Sequence, residues 1–151
     1  MSRIIKLGDT FTKREVLEMF GINPEYLSQH RYDLGEKFGG DFAGKFLSFY
    51  FLPEHVFGTP PEERKLQNTY VNTLSADGEI FANETKDGMP RPEYGEGEKY
   101  DERGKTLILF TSNRDEDKRV YQGEFRFEKH EGDQKWIFKR MKTETKTPNH
   151  S

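Results

Sequence analysis

The chain has 151 residues, of which 34% are charged, and its formal net charge is −3. This near balance excludes a chain-wide positive field, so binding of a polyanion would require a local basic patch. The absence of cysteine excludes disulfides, thiolate nucleophiles and cysteine-based zinc sites. The length predicts one domain over residues 1–142, followed by a frayed polar tail at 143–151.

Hydrophobic content is low, at 32%, but thirteen Phe, seven Tyr and one Trp can build a core from few, large side chains. No apolar run approaches the ~18 residues that a membrane-spanning helix needs. Residues 1–7 lack the apolar segment of a signal peptide. We therefore expect a soluble cytoplasmic protein without a membrane partner. The sequence contains no cofactor-binding motif, and we expect no cofactor.

The segment TFTKREVLEMFGI (10–22) predicts a helix over residues 13–20. Thr12 and Glu15 have the spacing of a capping box, in which each residue satisfies a backbone N–H of the other. Asn23–Pro24 then predicts a short second turn, because Asn caps helices and Pro favours their first position.

The rhythm of helix, Gly-Ile turn and helix across residues 12–31 has a second interpretation, a DNA-binding helix-turn-helix. Leu17 stands where that motif usually has a small residue, and His30 stands where it has an apolar one. The alternative is a helical lid packed on a sheet.

The remaining chain predicts mainly strands. Four glycines predict a loop at 34–45. The predicted strands are KFLSFYFL (45–52), both arms of a hairpin around SADG (75–78), TLILF (106–110), RVYQGEFRF (119–127) and KWIFKRM (135–141). The first of these carries large residues on both faces and is expected to be central. The fold class is therefore α+β, with short N-terminal helices and a mostly antiparallel sheet that is curled or closed into a small β-barrel.

Glycine weakens a strand, and Gly123 lies inside one. Strict alternation puts Gly123 on one face with Tyr121, Phe125 and Phe127. Gln122, Glu124 and Arg126 then lie on the other face. A glycine at such a position predicts a bend or a bulge in the sheet.

Catalytic signals are weak. The four histidines show no metal-ligand spacing, and no nucleotide-binding or nucleophile-elbow motif is present. The triplets Glu84–Lys86 and Glu144–Lys146 are similar to parts of metal-dependent nuclease sites, but a chain this charged contains such triplets by chance. A nuclease that uses Asp77, Glu84 and Lys86 remains an alternative.

Two charged loops are candidates for binding. The segment KDGMPRPEYGEGEKYDERG (86–104) is too rich in Gly, Pro and charge to be regular, and a loop this long is either disordered or functional. The segment NRDEDKRV (113–120) has three consecutive acids between Arg114 and the cations Lys118 and Arg119. It is a solvated hairpin loop or a source of phosphate contacts.

Four segments together resemble the SRA-like branch of the PUA-like superfamily, whose members recognise modified bases in DNA. The segments are GDTFTKREVLEMFGI (8–22), ADGEIF (76–81), GEGEKYD (95–101) and the pair LILF (107–110) and VYQGEF (120–125). The family's Tyr-Thr-Gly is absent, because the chain has FANETKDG at residues 81–88. The matching motif positions are Asp77, Gly95, Gly97 and Asp101, and Gly123 is the glycine of the last motif.

The resemblance implies a non-enzymatic module that binds modified or flipped bases, in partnership with a nuclease or with a nuclease domain of a longer chain. Aromatic residues in loop 86–104 would stack on the base, and a carboxylate would accept from an exocyclic amine. The residues expected to contact nucleic acid are Asp77, Tyr94, Gly95, Gly97, Tyr100, Asp101, Arg114, Lys118, Arg119, Gly123 and Lys139. The alternative is a protein-interaction or accessory module that does not touch nucleic acid.

Overall fold

The computed structural model describes residues 2–27, 29–52, 70–85, 105–112, 117–131 and 135–148. Loop 86–104 and Arg114 lie outside the described residues, so the expectations for Tyr94, Gly95, Gly97, Tyr100, Asp101 and Arg114 stay predictions. The elements are β1 (Ile4–Lys6), β2 (Thr10–Thr12), α1 (Lys13–Met19), β3 (Arg31–Asp33), α2 (Leu34–Phe38), β4 (Lys45–Phe51), β5 (Tyr70–Leu74), β6 (Ile80–Thr85), β7 (Thr106–Ser112), β8 (Lys118–Glu131), β9 (Lys135–Lys142) and β10 (Glu144–Lys146).

The main sheet has the strand order β3-β4-β7-β8-β9-β6-β5, and β2 also pairs with β8. Strands β1 and β10 form a separate two-stranded sheet. Among the described residues, β4 and β7 form the one parallel pair, and the other pairs are antiparallel. The mixed α+β class, the mostly antiparallel sheet, the hairpin of β5 and β6 and the internal position of β4 are thus confirmed.

The main sheet is strongly curled. The rings of Tyr50 on β4 and Phe81 on β6 are 5.2 Å apart, although β7, β8 and β9 lie between these strands. In a flat sheet, strands so separated would be ~19 Å apart. The side-chain amide of Asn72 on β5 also donates to the Phe51 carbonyl at the end of β4, at 3.0 Å. Across the described ranges, however, backbone pairing stops at β3 and β5, so the sheet is curled but not a closed barrel.

The curl divides the core between two faces of the sheet. The convex face packs against α1 and β1, and its buried residues include Ile5, Val16, Leu17, Phe20, Phe49, Ile108, Phe110 and Tyr121. The concave face encloses a second cluster made of Leu52, Phe81, Leu107, Leu109, Phe125, Trp136 and Phe138. Most aromatic side chains of the described residues therefore belong to the core or pack against it, as large apolar residues usually do.

Helix α1 has the predicted capping box. The Glu15 N–H donates to the Thr12 hydroxyl at 3.1 Å, and the Thr12 N–H donates to the Glu15 carboxylate at 2.8 Å. The helix ends at Met19, Phe20 is its C-cap, and Gly21 follows with a φ of +67°. The Ile22 N–H reaches back to the Leu17 carbonyl at 2.8 Å. This pattern is a Schellman motif, which glycine favours because it adopts positive φ without strain.

The helix-turn-helix interpretation is wrong. After α1 the chain makes a single 3-10 turn at Pro24–Tyr26, with Asn23 as its cap, and then enters strand β3. No recognition helix follows in the stretch where the motif requires one. Helix α1 instead buries Val16 and Leu17 against the convex face, as a lid on the sheet.

Two further expectations are corrected. The predicted loop at 34–45 contains helix α2, because the Asp33 carboxylate accepts from the Glu36 N–H at 3.0 Å and caps it. The predicted frayed tail contains strand β10, which pairs with β1 and buries the side chain of Thr145.

Thr145 belongs to a buried polar network that fixes β10 to the main sheet. Its hydroxyl donates to the Glu124 carboxylate at 2.6 Å and lies 2.5 Å from the Tyr121 hydroxyl. The other Glu124 oxygen is 3.0 Å from the Lys45 ammonium. Glu124 is only 3% exposed, and both of its oxygens have partners, as a buried carboxylate requires. Burial raises the pKa of Tyr121 well above its usual value.

We expect the Thr12→Ala substitution to lower the free energy of unfolding by ~1 kcal/mol, because it removes an N-cap hydrogen bond. The control is Thr10→Ala, which changes an exposed threonine on neighbouring β2. Urea denaturation of the wild type and both variants checks the prediction. Overlapping curves for Thr12→Ala and the wild type would show that the cap does not stabilise the fold.

Candidate nucleic-acid interface

Strand β8 carries a bulge at Gln122. Leu109 of β7 lies opposite Gly123, whereas the next residue, Phe110, lies opposite Tyr121, so Gln122 is the extra residue. One extra residue changes the face on which the following side chains lie. Tyr121 therefore packs in the convex cluster and Phe125 in the concave cluster. The prediction that these two residues share a face is wrong, whereas the predicted irregularity at Gly123 is confirmed.

Gly123 has a φ of +109°, a conformation that side chains disfavour. A Cβ atom built on it would lie 2.5 Å from the Lys142 carbonyl oxygen of β9 and 3.3 Å from the Arg140 side chain. The space beside Gly123 is therefore occupied by β9 of the same chain. A contact between Gly123 and nucleic acid stays a prediction.

Asp77 lies in the turn between β5 and β6. Its carboxylate accepts from the Ser75 hydroxyl at 2.6 Å and from the Glu79 N–H at 3.0 Å. These two hydrogen bonds, the first being the stronger cause, lower the pKa of Asp77. The next residue, Gly78, has a φ of +76°, and a Cβ atom on it would overlap the Arg140 guanidinium.

Arg140 joins the turn to the bulge. Its Nε donates to the Gln122 carbonyl at 3.0 Å, and its guanidinium carbon lies 5.7 Å from the centre of the Phe125 ring. We call the surroundings of this guanidinium, formed by Gly78, Gln122, Gly123 and Phe125, the Arg140 cradle. Thus the glycines of two separate sequence motifs pack against one arginine.

Arg140 was not among the residues predicted from the sequence. A signal for its position was available, because Trp136, Phe138 and Arg140 alternate along β9 and so share the concave face. The side chain borders an open depression that is lined by Glu79, Arg140, Met141, Lys142, Thr143 and Glu144.

The three predicted cations that lie among the described residues are not brought together at one place. Arg119 lies near the start of β8, where its guanidinium is 6.0 Å from the Phe51 ring and donates to the Asp117 carbonyl. Lys118 is 4.0 Å from the Glu15 carboxylate. Lys139 is exposed on the convex face, opposite Ile80.

A lysine that sequence analysis did not single out lies beside Arg119. The Lys13 ammonium donates to the carbonyls of Leu27 and Gln29 and lies 4.9 Å from the centre of the Phe49 ring. Burial, and then the positive charge of Arg119, lower the pKa of Lys13 to about 8. Even a neutral amine keeps the two N–H groups that these carbonyls need.

The described residues contain no group of three His, Asp or Glu side chains that could hold a metal ion. Glu84 lies near the far end of β6 from Asp77, where it is 3.8 Å from the Lys135 ammonium. The distance along the strand from Ile80 to Glu84 is already ~13 Å. Lys86 lies outside the described residues. A search of the described residues for helices long and apolar enough to cross a membrane finds none.

The lowered pKa of Lys13 predicts a pH dependence of stability. Between pH 8 and the ordinary lysine pKa of 10.5, the unfolded chain holds a proton that the folded chain has released. The free energy of unfolding should therefore rise with pH across this range. Urea denaturation at pH 7.5, 8.5 and 9.5 should show the rise in the wild type and in Lys37→Met, a control at an exposed lysine, but not in Lys13→Met. An unchanged rise in Lys13→Met would contradict the assignment.

The bulge predicts that Gly123 tolerates substitution worse than another glycine of similar conformation. Gly8 has a φ of +87°, and a Cβ atom there would meet nothing within 4 Å. Gly8→Ala should therefore cost only backbone strain, ~1–2 kcal/mol. Gly123→Ala should cost at least ~1 kcal/mol more, because its methyl group overlaps the backbone of β9. Equal losses in thermal or urea melts would show that β9 is not packed against Gly123.

Comparison with known proteins finds similarity in structure. No family model and no curated protein matches the chain. A similar solved structure is that of the 5-hydroxymethylcytosine-specific restriction enzyme AbaSI, with a TM-score of 0.65, 20% sequence identity and coverage of 97% of this chain. The present chain spans 44% of the AbaSI chain. At this identity the match shows that the chain shares its fold with part of that enzyme.

Proposed function

We propose that the chain is a non-enzymatic DNA-binding domain that recognises modified or flipped cytosine, as the recognition part of a restriction or defence system. The observation that carries the proposal is the shared fold along 97% of the chain with an enzyme specific for 5-hydroxymethylcytosine. Cleavage would then require a nuclease partner or a nuclease domain in a longer chain. We keep 1–142 as the proposed domain, with β10 packed on it.

The concave face provides physical support for base recognition. Flipping a base out of the duplex costs a few kcal/mol, which a binding site recovers by stacking and by hydrogen bonds to the base edge. Phe46, Tyr50 and Phe127 are only partly buried against the concave cluster, so this face offers aromatic surface. Loop 86–104, with Tyr94, Tyr100 and Asp101, would complete the pocket.

Phosphate contacts in this proposal come from local cations, since the net charge of −3 provides no general attraction. Lys118 is exposed and suited to contact the DNA backbone, whereas Lys139 lies on the convex face, away from the concave face that would receive the base. Arg119 and Arg114 would extend the contact near the start of β8. Asp77 would act mainly by shaping its turn, because its carboxylate is already hydrogen-bonded within that turn.

We expect the protein to bind a duplex with one 5-hydroxymethylcytosine at least about tenfold more tightly than the same duplex with cytosine, a difference of ~1.4 kcal/mol. Fluorescence anisotropy at one fixed salt concentration measures this, because phosphate contacts make affinity depend on salt. Tyr100→Ala should weaken binding of the modified duplex, since stacking contributes ~1–3 kcal/mol per base. The matched control is Tyr26→Ala, which removes a tyrosine that is 53% exposed.

Three results would contradict the proposal in different ways. Equal affinity for modified and plain duplexes would reject recognition of modified bases. No binding to any duplex would favour the protein-interaction alternative. Nicking of supercoiled plasmid with Mg²⁺ or Mn²⁺, lost in Glu84→Gln, would show that the chain is itself a nuclease.

A further inference from the structure

We propose that Arg140 is a preorganised phosphate-binding residue and that its guanidinium contacts one phosphate of the DNA backbone. The inference rests on the proposed function, because DNA is taken as the ligand. It differs from the sequence-based expectation, which assigned the phosphate contact of β9 to the neighbouring residue Lys139.

The Arg140 guanidinium is fixed from three sides. Its Nε donates to the Gln122 carbonyl at 3.0 Å, its central carbon lies 5.7 Å from the centre of the Phe125 ring, and one terminal nitrogen fills the space that the missing side chain of Gly78 leaves. An arginine on a flexible stem loses rotamer entropy when it binds a ligand. Arg140 has already lost much of that freedom in the folded protein, so binding costs less.

The terminal nitrogens of Arg140 make no hydrogen bond within the described part of the chain. The Nε bond is the hydrogen bond that its side chain makes there, and no carboxylate of the described residues lies within ion-pair distance of it. A guanidinium has five N–H donors in a planar fork that matches two phosphate oxygens. Four of these donors thus have no acceptor among the described residues, and one of the two nitrogens that carry them packs against Gly78.

The Arg140 side chain also borders the open depression at the end of β9. Lys142 adds a second cation and Thr143 a hydroxyl to its lining, whereas Glu79 and Glu144 bring negative charge. These acids disfavour an isolated anion but leave room for a phosphodiester that is held elsewhere by the duplex. We therefore expect a contact that supplements binding and does not capture free phosphate.

Two glycines pack against the Arg140 side chain. Both Gly78 and Gly123 adopt positive φ, and a Cβ atom on either would meet Arg140 at or below 3.3 Å. Gly78→Ala should therefore displace the guanidinium without removing its charge. This substitution tests whether DNA binding depends on the position of the guanidinium and not only on its positive charge.

The experiment compares Arg140→Gln with Arg126→Gln, which removes the same charge from an exposed arginine on the convex face of the adjacent strand. Affinity for modified and plain duplexes is measured at several salt concentrations. Arg140→Gln should weaken both duplexes about equally, by roughly tenfold, and should lower the slope of log K against log salt by ~0.9. Arg126→Gln should leave both the affinity and the slope almost unchanged.

Two further variants test the fork itself. Arg140→Lys should keep the salt slope but lose affinity several-fold, because an ammonium cannot bind two oxygens in one plane. Gly78→Ala should lose affinity to a similar extent while Arg140 is still present. Thermal melts and circular dichroism identify any variant that fails to fold. If Arg140→Gln fails to fold, the affinities of Gly78→Ala and Arg140→Lys, each compared with the wild type, decide the test.

The possible outcomes separate this inference from the proposed function. Equal losses in Arg140→Gln and Arg126→Gln would overturn the inference, as would a loss confined to the modified duplex, which would indicate a base contact. Inhibition by millimolar inorganic phosphate at constant ionic strength would also overturn it, because the site would then capture free phosphate. A wild type that binds both duplexes equally would reject base recognition but leave the Arg140 result standing. A wild type that binds no DNA would reject both.

Discussion

The bulge at Gln122 is the feature on which the arrangement of the core depends. Strand β8 pairs with β2, β7 and β9. Its residue Tyr121 packs in the convex cluster, whereas Phe125 packs in the concave cluster. An unbroken strand would keep Tyr121 and Phe125 on one face. The single extra residue changes the face between them, and Gly123 supplies the backbone conformation that the change requires. The same bulge presents the Gln122 carbonyl to Arg140.

Glu124, two residues after Gln122, links both ends of the chain to the main sheet. Because of the change of face, Glu124 is buried on the convex side, with Lys45 and Thr145 as its partners. A buried carboxylate without a partner would destabilise the fold. The hydrogen bond from Thr145 to Glu124 therefore holds β10 to the main sheet. Strand β10 in turn pairs with β1. The change of face at the bulge thus places Glu124 where it binds β10, and β10 pairs with β1 near the other end of the chain.

Features encoded by neighbouring residues could be predicted from the sequence. The capping box of Thr12 and Glu15 and the hairpin around SADG depend on residues a few positions apart. The spacing of Asp33 and Glu36 was a comparable signal for α2, but four glycines outweighed it. Strand β10 could not be found in this way, since its three polar residues become a strand only by pairing with β1 at the other end of the chain.

The candidate site was predictable only in part, for the same reason. Gly78 lay in the predicted hairpin turn and Gly123 in a predicted strand, and both belonged to segments that carry the family resemblance. Their shared neighbour Arg140 becomes evident only when β6, β8 and β9 are placed side by side. Strict alternation also failed along β8, because a bulge depends on the register with two neighbouring strands and not on the strand's own residues.

The central claim is that the bulge of β8 builds the Arg140 cradle and that DNA binds there. The most direct test is a titration of isotope-labelled protein with a duplex carrying 5-hydroxymethylcytosine, followed by nuclear magnetic resonance. We expect the signals of the Arg140 Nε–H and of the Gly78 and Gly123 amides to shift, whereas the amide of Gly35, in α2, should not shift. Shifts confined to the convex face, with the three cradle signals unmoved, would contradict it.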